Sequence, residues 1–434
     1  MTQPLLFDLP TPRPTYRDTA FASNKTLAMH RWVNWIAGFS SEFVQHALEL
    51  HLPNSSPEQV VLDPFGGVGT TPITAFLRGH SVVSYDINPF PLLVQRAKLR
   101  AIQDVTPTEF AQQIEAFTAH MAAGGVPKSK VPQGFTSRTP FYSEKVLVKV
   151  LRVWDFINGV ADEDLRDLFR VAFGATMVSY SNYSYEPSLG SRAAAGKPDI
   201  EDADVAQVMR DKLLEMHADL LGVQGIRLGG QTAQVYQGSF MRSELPDSSV
   251  DLMVTSPPYL NNYHYLRNTR PHLYWLGYAT SPKDLRYLEL DNYGKYWQTV
   301  RDAKYQTSLI FDSPWLQDLV NQLVGVQSDR GVYGGQGWAN YATEYFNDTY
   351  RFLQKTQAVL RPGAKALIVV GNSIVKGTNL PIDEVFTHIA QHLGFSGHNI
   401  HMVRDSRIGS SIVGTGLRSE GKGRLYEAVV ELTK

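Results

Sequence analysis

The chain has 434 residues, a formal net charge of -1, 12 histidines and no cysteine. That length buries a sizeable core, in one large domain with insertions or in several smaller ones. The lack of cysteine excludes disulfides, thiolate catalysis and the cysteine-ligated zinc of nucleobase deaminases. The histidines form no His-Glu-x-x-His pattern, so no metal is expected, and a nucleic-acid partner would have to be held by local basic segments.

The opening stretch MTQPLLFDLPTPRPTYRD has four prolines and acidic residues where a leader carries a basic region and an apolar run. No segment reaches the roughly 18 apolar residues of a membrane span, so the expectation is a cytoplasmic protein without a membrane partner. Residues 60–64, VVLDP, and 81–87, SVVSYDI, read as buried strands. Between them, VVLDPFGGVGTTP sets Gly66, Gly67 and Gly69 where the chain turns from strand to helix, with Thr70 or Thr71 as cap and Pro72 at the first helical position. The loop has no Gly-Lys-Ser/Thr, so it is not a P-loop, and its spacing is not G-x-G-x-x-G. It carries an acid, Asp63, and no base, and a second acid, Asp86, closes the next strand where ribose hydroxyls are held in nucleotide folds. A cationic, phosphate-free ligand suits this set, and S-adenosylmethionine, with its sulfonium and ammonium groups, is one.

Residues 101–230 read as helices. Thr106, Pro107 and Glu109 form a capping box ahead of Phe110, Ile114, Phe117 and Met121 at helical spacing. GGVPKSKVPQG reads as a linker, DLRDLFRVAFGATMVSY as a further helix and YEPSLGSRAAAGKPD as loop. Strands are then expected in AQVYQGSF (233–240), VDLMVTS (250–256), AKALIVVGNS (364–373), NIHMVRD (399–405) and LYEAVVELT (425–433). Residues 260–337 read as an irregular region rich in Tyr and Trp, followed by a helix through Tyr345, Phe352, Leu353 and Leu360 that stops at Arg361-Pro362-Gly363. Near-continuous apolar strands separated by helices imply an α/β fold with a mainly parallel sheet covered on both faces.

DPFGGVGTT, then YDINPF, then TSPPY resembles the site-specific DNA amino-methyltransferases, especially those of the N4-cytosine type. The resemblance covers about 25–100 and 230–375 and implies a Rossmann-like class I methyltransferase fold. It implies a catalytic domain split into 1–100 and 231–434, with 101–230 as a helical insertion and target recognition in that insertion, in 260–340, or in both. The implied cofactor is S-adenosylmethionine, held by Asp63, Pro64, Phe65, Gly67, Gly69 and Thr70 in the loop and by Asp86 at the ribose. HRWVNWIAGFSSEFV resembles the cofactor-covering motif with Phe39 as its aromatic residue, and VYQGSF the adenine-contacting turn, with Ser239 where aspartate is common.

In Ser256-Pro257-Pro258-Tyr259 the family pattern gives the amino group's two acceptors to the Ser256 hydroxyl and the Pro257 carbonyl, held by stiff prolines, and base stacking to Tyr259. The base must be flipped out of the duplex. Serine in the first position points to cytosine N4, with adenine N6 and an RNA amino group as alternatives, and a non-catalytic nucleic-acid binder as a further one. Cytosine C5 methylation proceeds through a cysteine nucleophile, which this chain lacks. Asn261, Tyr263, Arg267 and Arg270 are candidate DNA contacts, and HLYWLGY after them reads as a buried helix. The basic, glycine-rich stretch 404–424 reads as a phosphate-binding loop or a solvated hairpin. The implied partners are double-stranded DNA, in a prokaryotic cytoplasm, and a restriction endonuclease acting on the same site.

Overall fold

Seven apolar runs were expected as strands, and all seven enter one sheet in the computed structural model. The structure describes residue 16 and residues 19–35, 38–185, 188–226, 229–260, 265–301, 307–404 and 425–434. The first part of the chain forms helix α1 (Ser41–His51), strand β1 (Val60–Asp63), α2 (Thr70–Leu77), β2 (Ser81–Asp86) and α3 (Pro89–Gln103). The helical stretch follows as α4 (Pro107–Ala123), α5 (Glu144–Gly159), α6 (Glu163–Thr176), a short hairpin of β3 (Tyr183–Tyr185) and β4 (Leu189–Ser191), and α7 (Val205–Val223). Strands β5 (Ala233–Gln237) and β6 (Val250–Thr255) return to the sheet. Helices α8 (Tyr265–Trp275), α9 (Arg286–Leu290), α10 (Trp297–Val300), α11 (Pro314–Gly325) and α12 (Gly335–Val359) precede β7 (Leu360–Gly371). A second hairpin, β8 (Ser373–Val375) and β9 (Thr378–Leu380), leads to α13 (Ile382–His392), β10 (Gly397–Arg404) and β11 (Glu427–Thr433).

The strand order is β10-β11-β7-β6-β1-β2-β5. Strands β5, β2, β1, β6 and β7 are parallel, whereas β11 runs antiparallel to both β7 and β10. The sheet is therefore mainly parallel, with β11 reversed between β7 and β10, which both run in the direction of the other strands. Alternate residues enter opposite cores. Val61, Val82, Leu252, Val254, Leu367 and Val429 join the core under α1 to α8, while Leu62, Val83, Met253, Ile368 and Val430 join that under α12 and α13. Burial on both faces is why these strands read as continuous apolar runs. The core of α4 to α7 is continuous with the first of these, through Phe90, Leu93 and Val94 of α3 against Phe110, Phe169 and Phe173.

Several local expectations change. The capping box forms as read, with the Thr106 hydroxyl and the Glu109 carboxylate satisfying each other's backbone N–H groups. The helix after the glycine loop is not capped by a threonine. Gly69 is its N-cap, at φ +94°, and the Thr71 hydroxyl donates to the carbonyl of Val254 instead. YEPSLGSRAAAGKPD, read as loop, contributes to the β3–β4 hairpin, and the described residues of 260–337 are mostly in short helices, with HLYWLGY buried at Leu273, Tyr274, Trp275 and Leu276. Arg361-Pro362-Gly363 lies within β7 rather than ahead of it, in a bulge where the partners of Val250 and Leu252 jump from Leu360 to Lys365. Among the described residues no helix is long and apolar enough to cross a membrane.

Candidate active site

Strand order dictates where a ligand fits. From β1 the chain moves outward to β2 and β5, then crosses back to β6 on the other side of β1, so the turns leaving β1 and β6 diverge at their carboxyl ends. Such a switch point opens a crevice, and these two turns are DPFGG and SPPY. Two motifs nearly 190 residues apart in sequence thus become neighbours.

The glycine turn is held from below. Gly66 N–H donates to the Tyr85 carbonyl (2.9 Å), Gly69 N–H to the Gly66 carbonyl (2.8 Å), and Gly67 N–H to Oδ2 of Asp86 (3.0 Å). Gln95 Nε2 and the buried Lys98 ammonium, both on α3, donate to the carbonyls of Gly67 (2.7 Å) and Val68 (2.9 Å). A Cβ on Gly66 would lie 2.0 Å from the Ser84 hydroxyl, and one on Gly67, at φ +50°, would lie 3.1 Å from Trp35 Nε1. Only glycine fits there, because sheet and tryptophan press on both sides.

One pocket is lined by Phe39, Pro64, Phe65, Gly67, Thr70, Asp86, Ser239, Ser256 and Pro258, so nine of the expected residues from five separate segments meet. Trp35, Asn88, Tyr293 and Tyr296 complete much of its wall. Among the described residues its lining includes two acids, Asp86 and Asp291, and neither lysine nor arginine. Asp86 accepts from Gly67 N–H and from Asn88 N–H (2.7 Å), yet burial, with a smaller push from the Asp63 charge, raises its carboxyl to about 7. Burial likewise pushes the Lys98 ammonium down to about 7, partly countered by the Asp219 carboxylate.

Asp63, Gly69, Pro257 and Tyr259 do not line this pocket. Asp63 was expected to face the cofactor, but it is 1% exposed and lies beneath the loop, where it accepts from Phe65 N–H (3.1 Å) and the Thr255 hydroxyl (2.6 Å). Its Oδ2 has no hydrogen-bond partner, and burial raises its carboxyl to about 6 against those hydrogen bonds. Its role is to join the two motifs. Gly69 serves as a cap, and Pro257 is buried in the turn. The Tyr259 hydroxyl donates to Oε1 of Glu427 on β11 (2.7 Å), which fixes one end of the ring outside the pocket lining. The Ser256 hydroxyl donates to the Val369 carbonyl (3.1 Å), so its oxygen lone pairs remain available as acceptors.

Of the candidate DNA contacts, Asn261 and Tyr263 lie outside the described residues, as does nearly all of the basic stretch 404–424. Arg267 is exposed on α8. Arg270 donates to the Thr136 carbonyl (3.2 Å) and sits over the Tyr274 ring, 5.4 Å from its centroid. Among the described residues no group of acids and histidines could hold a metal ion.

Sequence reasoning missed how the aromatic cover is secured. Asp219 on α7 is buried and accepts from Met29 N–H (2.8 Å), Trp32 Nε1 (3.0 Å) and the Arg31 guanidinium (2.5 Å). That clamp fixes the segment whose continuation brings Trp35, Gly38 and Phe39 to the pocket. No local motif surrounds Asp219, so only its burial in the fold exposes it.

No family model matches the chain. Type II methyltransferase M.BsoBI of Geobacillus stearothermophilus is 22% identical over 440 residues, spanning 90% of this chain and 83% of its own. M.MvaI of Kocuria varians, also a Type II methyltransferase, is 22% identical over 391 residues, spanning 86% and 82%. The curated relatives of this chain are Type II methyltransferases. Among solved structures, the rRNA methyltransferase aviRa from Streptomyces viridochromogenes overlaps 95% of this chain and 92% of its own at 10% identity. The TM-score of that overlap is 0.28.

Sequence, pocket and relatives agree on a methyltransferase that uses S-adenosylmethionine. The residues present fit that cofactor: a tight glycine turn whose backbone at Gly66 and Gly67 lines the pocket, an acid at the end of β2, aromatic walls, and, among the described residues, no lysine or arginine in the lining to repel a sulfonium.

Proposed function

We propose that the chain is a site-specific DNA methyltransferase that transfers a methyl group from S-adenosylmethionine to the N4 amino group of a flipped cytosine. A cognate restriction endonuclease acting on the same site is the proposed partner. The observation that carries this reading is the meeting of Ser256 and Pro258 with the glycine loop and Asp86 in one pocket, at the switch point of the sheet.

Bound S-adenosylmethionine supplies an electrophilic methyl on a sulfonium. The chain's own residues then have three tasks. Gly66 and Gly67 admit the ligand close to the backbone, while Asp86 accepts hydrogen bonds from its ribose hydroxyls. Phe39, Phe65 and Tyr293 exclude water from the pocket. Ser256 Oγ and the Pro257 carbonyl accept the two amino hydrogens of the base, so the nitrogen lone pair turns from the ring toward the methyl. Tyr259, anchored through Glu427, offers its ring to the base. Aromatic stacking returns about 1–3 kcal/mol of the few spent on flipping. Positioning the partners in line contributes about 7–11 kcal/mol toward the barrier in well-aligned systems. Arg267 and the segment containing Asn261 and Tyr263 are proposed to face the DNA.

The test is to express the chain in cells with a plasmid and sequence the DNA at base resolution for modified bases. N4-methylcytosine at one recurring sequence is the expected result. N6-methyladenine instead would move the target to adenine, and methyl transfer to RNA with none to DNA would overturn the reading.

A further inference from the structure

A second cavity lies beside the cofactor pocket, and Trp35 and Tyr265 line both. Their rings stack, with centroids 6.1 Å apart and planes 17° from parallel, so the pair forms a partition between the two spaces. The second cavity has a volume of about 640 Å3 and takes its far wall from α6 and the β3–β4 hairpin. Three features of it constrain an occupant.

The first is aromatic wall: besides Trp35 and Tyr265, the rings of Phe90, Tyr183 and Tyr185 line it. The second is charge, since Lys25 and Arg192 belong to the lining and, among the described residues, no carboxylate does. The third is an unanswered donor. Asn268 is 5% exposed, and its Oδ1 accepts Leu189 N–H at 2.8 Å, which orients the amide. Its Nδ2 has no hydrogen-bond partner, and neither does the hydroxyl of Ser184 in the same lining. A buried amide donor left unmet is unfavourable unless a ligand brings an acceptor. A purely apolar occupant fails that condition, and a small inorganic anion leaves the rings unused. A nucleotide supplies a flat ring, ring acceptors and a phosphate together.

We propose that this cavity receives a nucleotide of the DNA substrate next to the target base, with an acceptor on its base edge bonded to Asn268 Nδ2. The proposal rests on the reading of the chain as a DNA methyltransferase, and it places part of the sequence recognition on the helical insertion. The occupant is not the target base itself, because none of Ser256, Pro257, Pro258 and Tyr259 lines the cavity. The phosphate of the bound nucleotide lies toward Lys25 and Arg192.

Asn268→Asp tests this in the full-length protein. The aspartate keeps an oxygen for Leu189 N–H, removes the donor and adds a negative charge facing the nucleotide. The KM for DNA should rise roughly 10-fold or more, the size of a lost base contact. The heat-shift response to S-adenosylmethionine should stay unchanged. On a substrate library randomised around the methylated base, the variant should lose base preference at one neighbouring position. Lys25→Gln, at an exposed residue, provides a second arm and should lower the slope of log affinity against log salt by about one. If both variants keep the wild-type KM for DNA and the wild-type flanking preference, the cavity does not bind substrate. If preference changes at the methylated base alone, the assignment to a neighbouring nucleotide is wrong. A wild-type protein that methylates no DNA would sink the functional reading, whereas an active wild type matched by both variants would sink only this inference.

Discussion

The hydroxyl of Thr255 donates to the buried carboxylate of Asp63 at 2.6 Å, so the last residue of β6 grips the last residue of β1. Each is the final strand residue before a motif, so the bond sets the distance between glycine loop and proline turn. Thr255→Val keeps the shape and removes the donor, leaving the carboxylate with the Phe65 N–H. An unmet buried acceptor of this kind costs about 1–3 kcal/mol. Urea melts should show that loss, and kinetics should show cofactor affinity and turnover falling together. Loss of turnover with cofactor affinity intact would mean the bond supports the proline turn alone.

With Asp86 at the ribose, as proposed, cofactor binding should depend on pH. Its carboxyl is raised from 3.8 to about 7, mainly by burial, so the stability it contributes is fully present below about 3.8 and is lost as pH rises through 7. Ribose hydroxyls donate to the ionised form, so binding should release a proton near neutrality. Affinity for S-adenosylmethionine should then fall about tenfold for each pH unit below 7 and level off above 8. Calorimetry in buffers of different ionisation enthalpy measures the proton directly. Asp86→Asn should weaken binding and flatten the profile; a profile that keeps its slope in this variant would assign the proton elsewhere.

Ser256 differs from Asp86 in when it acts. It meets the base rather than the cofactor in the proposed mechanism, and its hydroxyl hydrogen is already committed to the Val369 carbonyl. Ser256→Ala should therefore lower single-turnover rates roughly 100-fold, the scale of a lost oriented contact at a reacting centre. Cofactor affinity should stay within about twofold, since no transition-state contact enters that equilibrium. Equal losses in both would show that Ser256 mainly shapes the pocket.

The contrast between Asp86 and Asp63 shows what the sequence could reveal. The place of Asp86 in the pocket was legible because an acid that ends the strand after a glycine turn stands at the mouth of the same crevice. Asp63 has the same residue type and a neighbouring position, but the strand buries its side chain under the loop, and pleat direction at a strand's last residue was not readable from VVLD alone. The strands were legible because burial on both faces requires unbroken apolar runs. The reversal of β11 between β7 and β10 was not, since an apolar run carries no sign of its direction. Threonine as helix cap failed because Gly69 takes a left-handed conformation and frees Thr71 to reach across to β6. Asn268 and Asp219 needed the fold itself, as their partners lie 79 and 190 residues away.

Asp219 gives the last prediction, because it ties the helical insertion to the cofactor pocket. Its carboxylate accepts from Met29 N–H, Trp32 Nε1 and Arg31, and Met29 is held at φ +65°, a left-handed conformation that a methionine rarely adopts without such restraint. Asp219→Ala strands the first two donors in the core, while the partly exposed Arg31 recovers water. Stability should fall by about 2–4 kcal/mol. Asp219→Asn retains an amide oxygen for one or two of the donors and should lose about half as much. The pocket consequence separates a clamp from a mere core contact. Released at Met29 and Trp32, the segment presents Trp35 and Phe39 less often in place, so the KM for S-adenosylmethionine should rise several-fold more than kcat falls. Unchanged KM in Asp219→Asn, with the stability loss present, would confine Asp219 to packing and detach the insertion from the cofactor site.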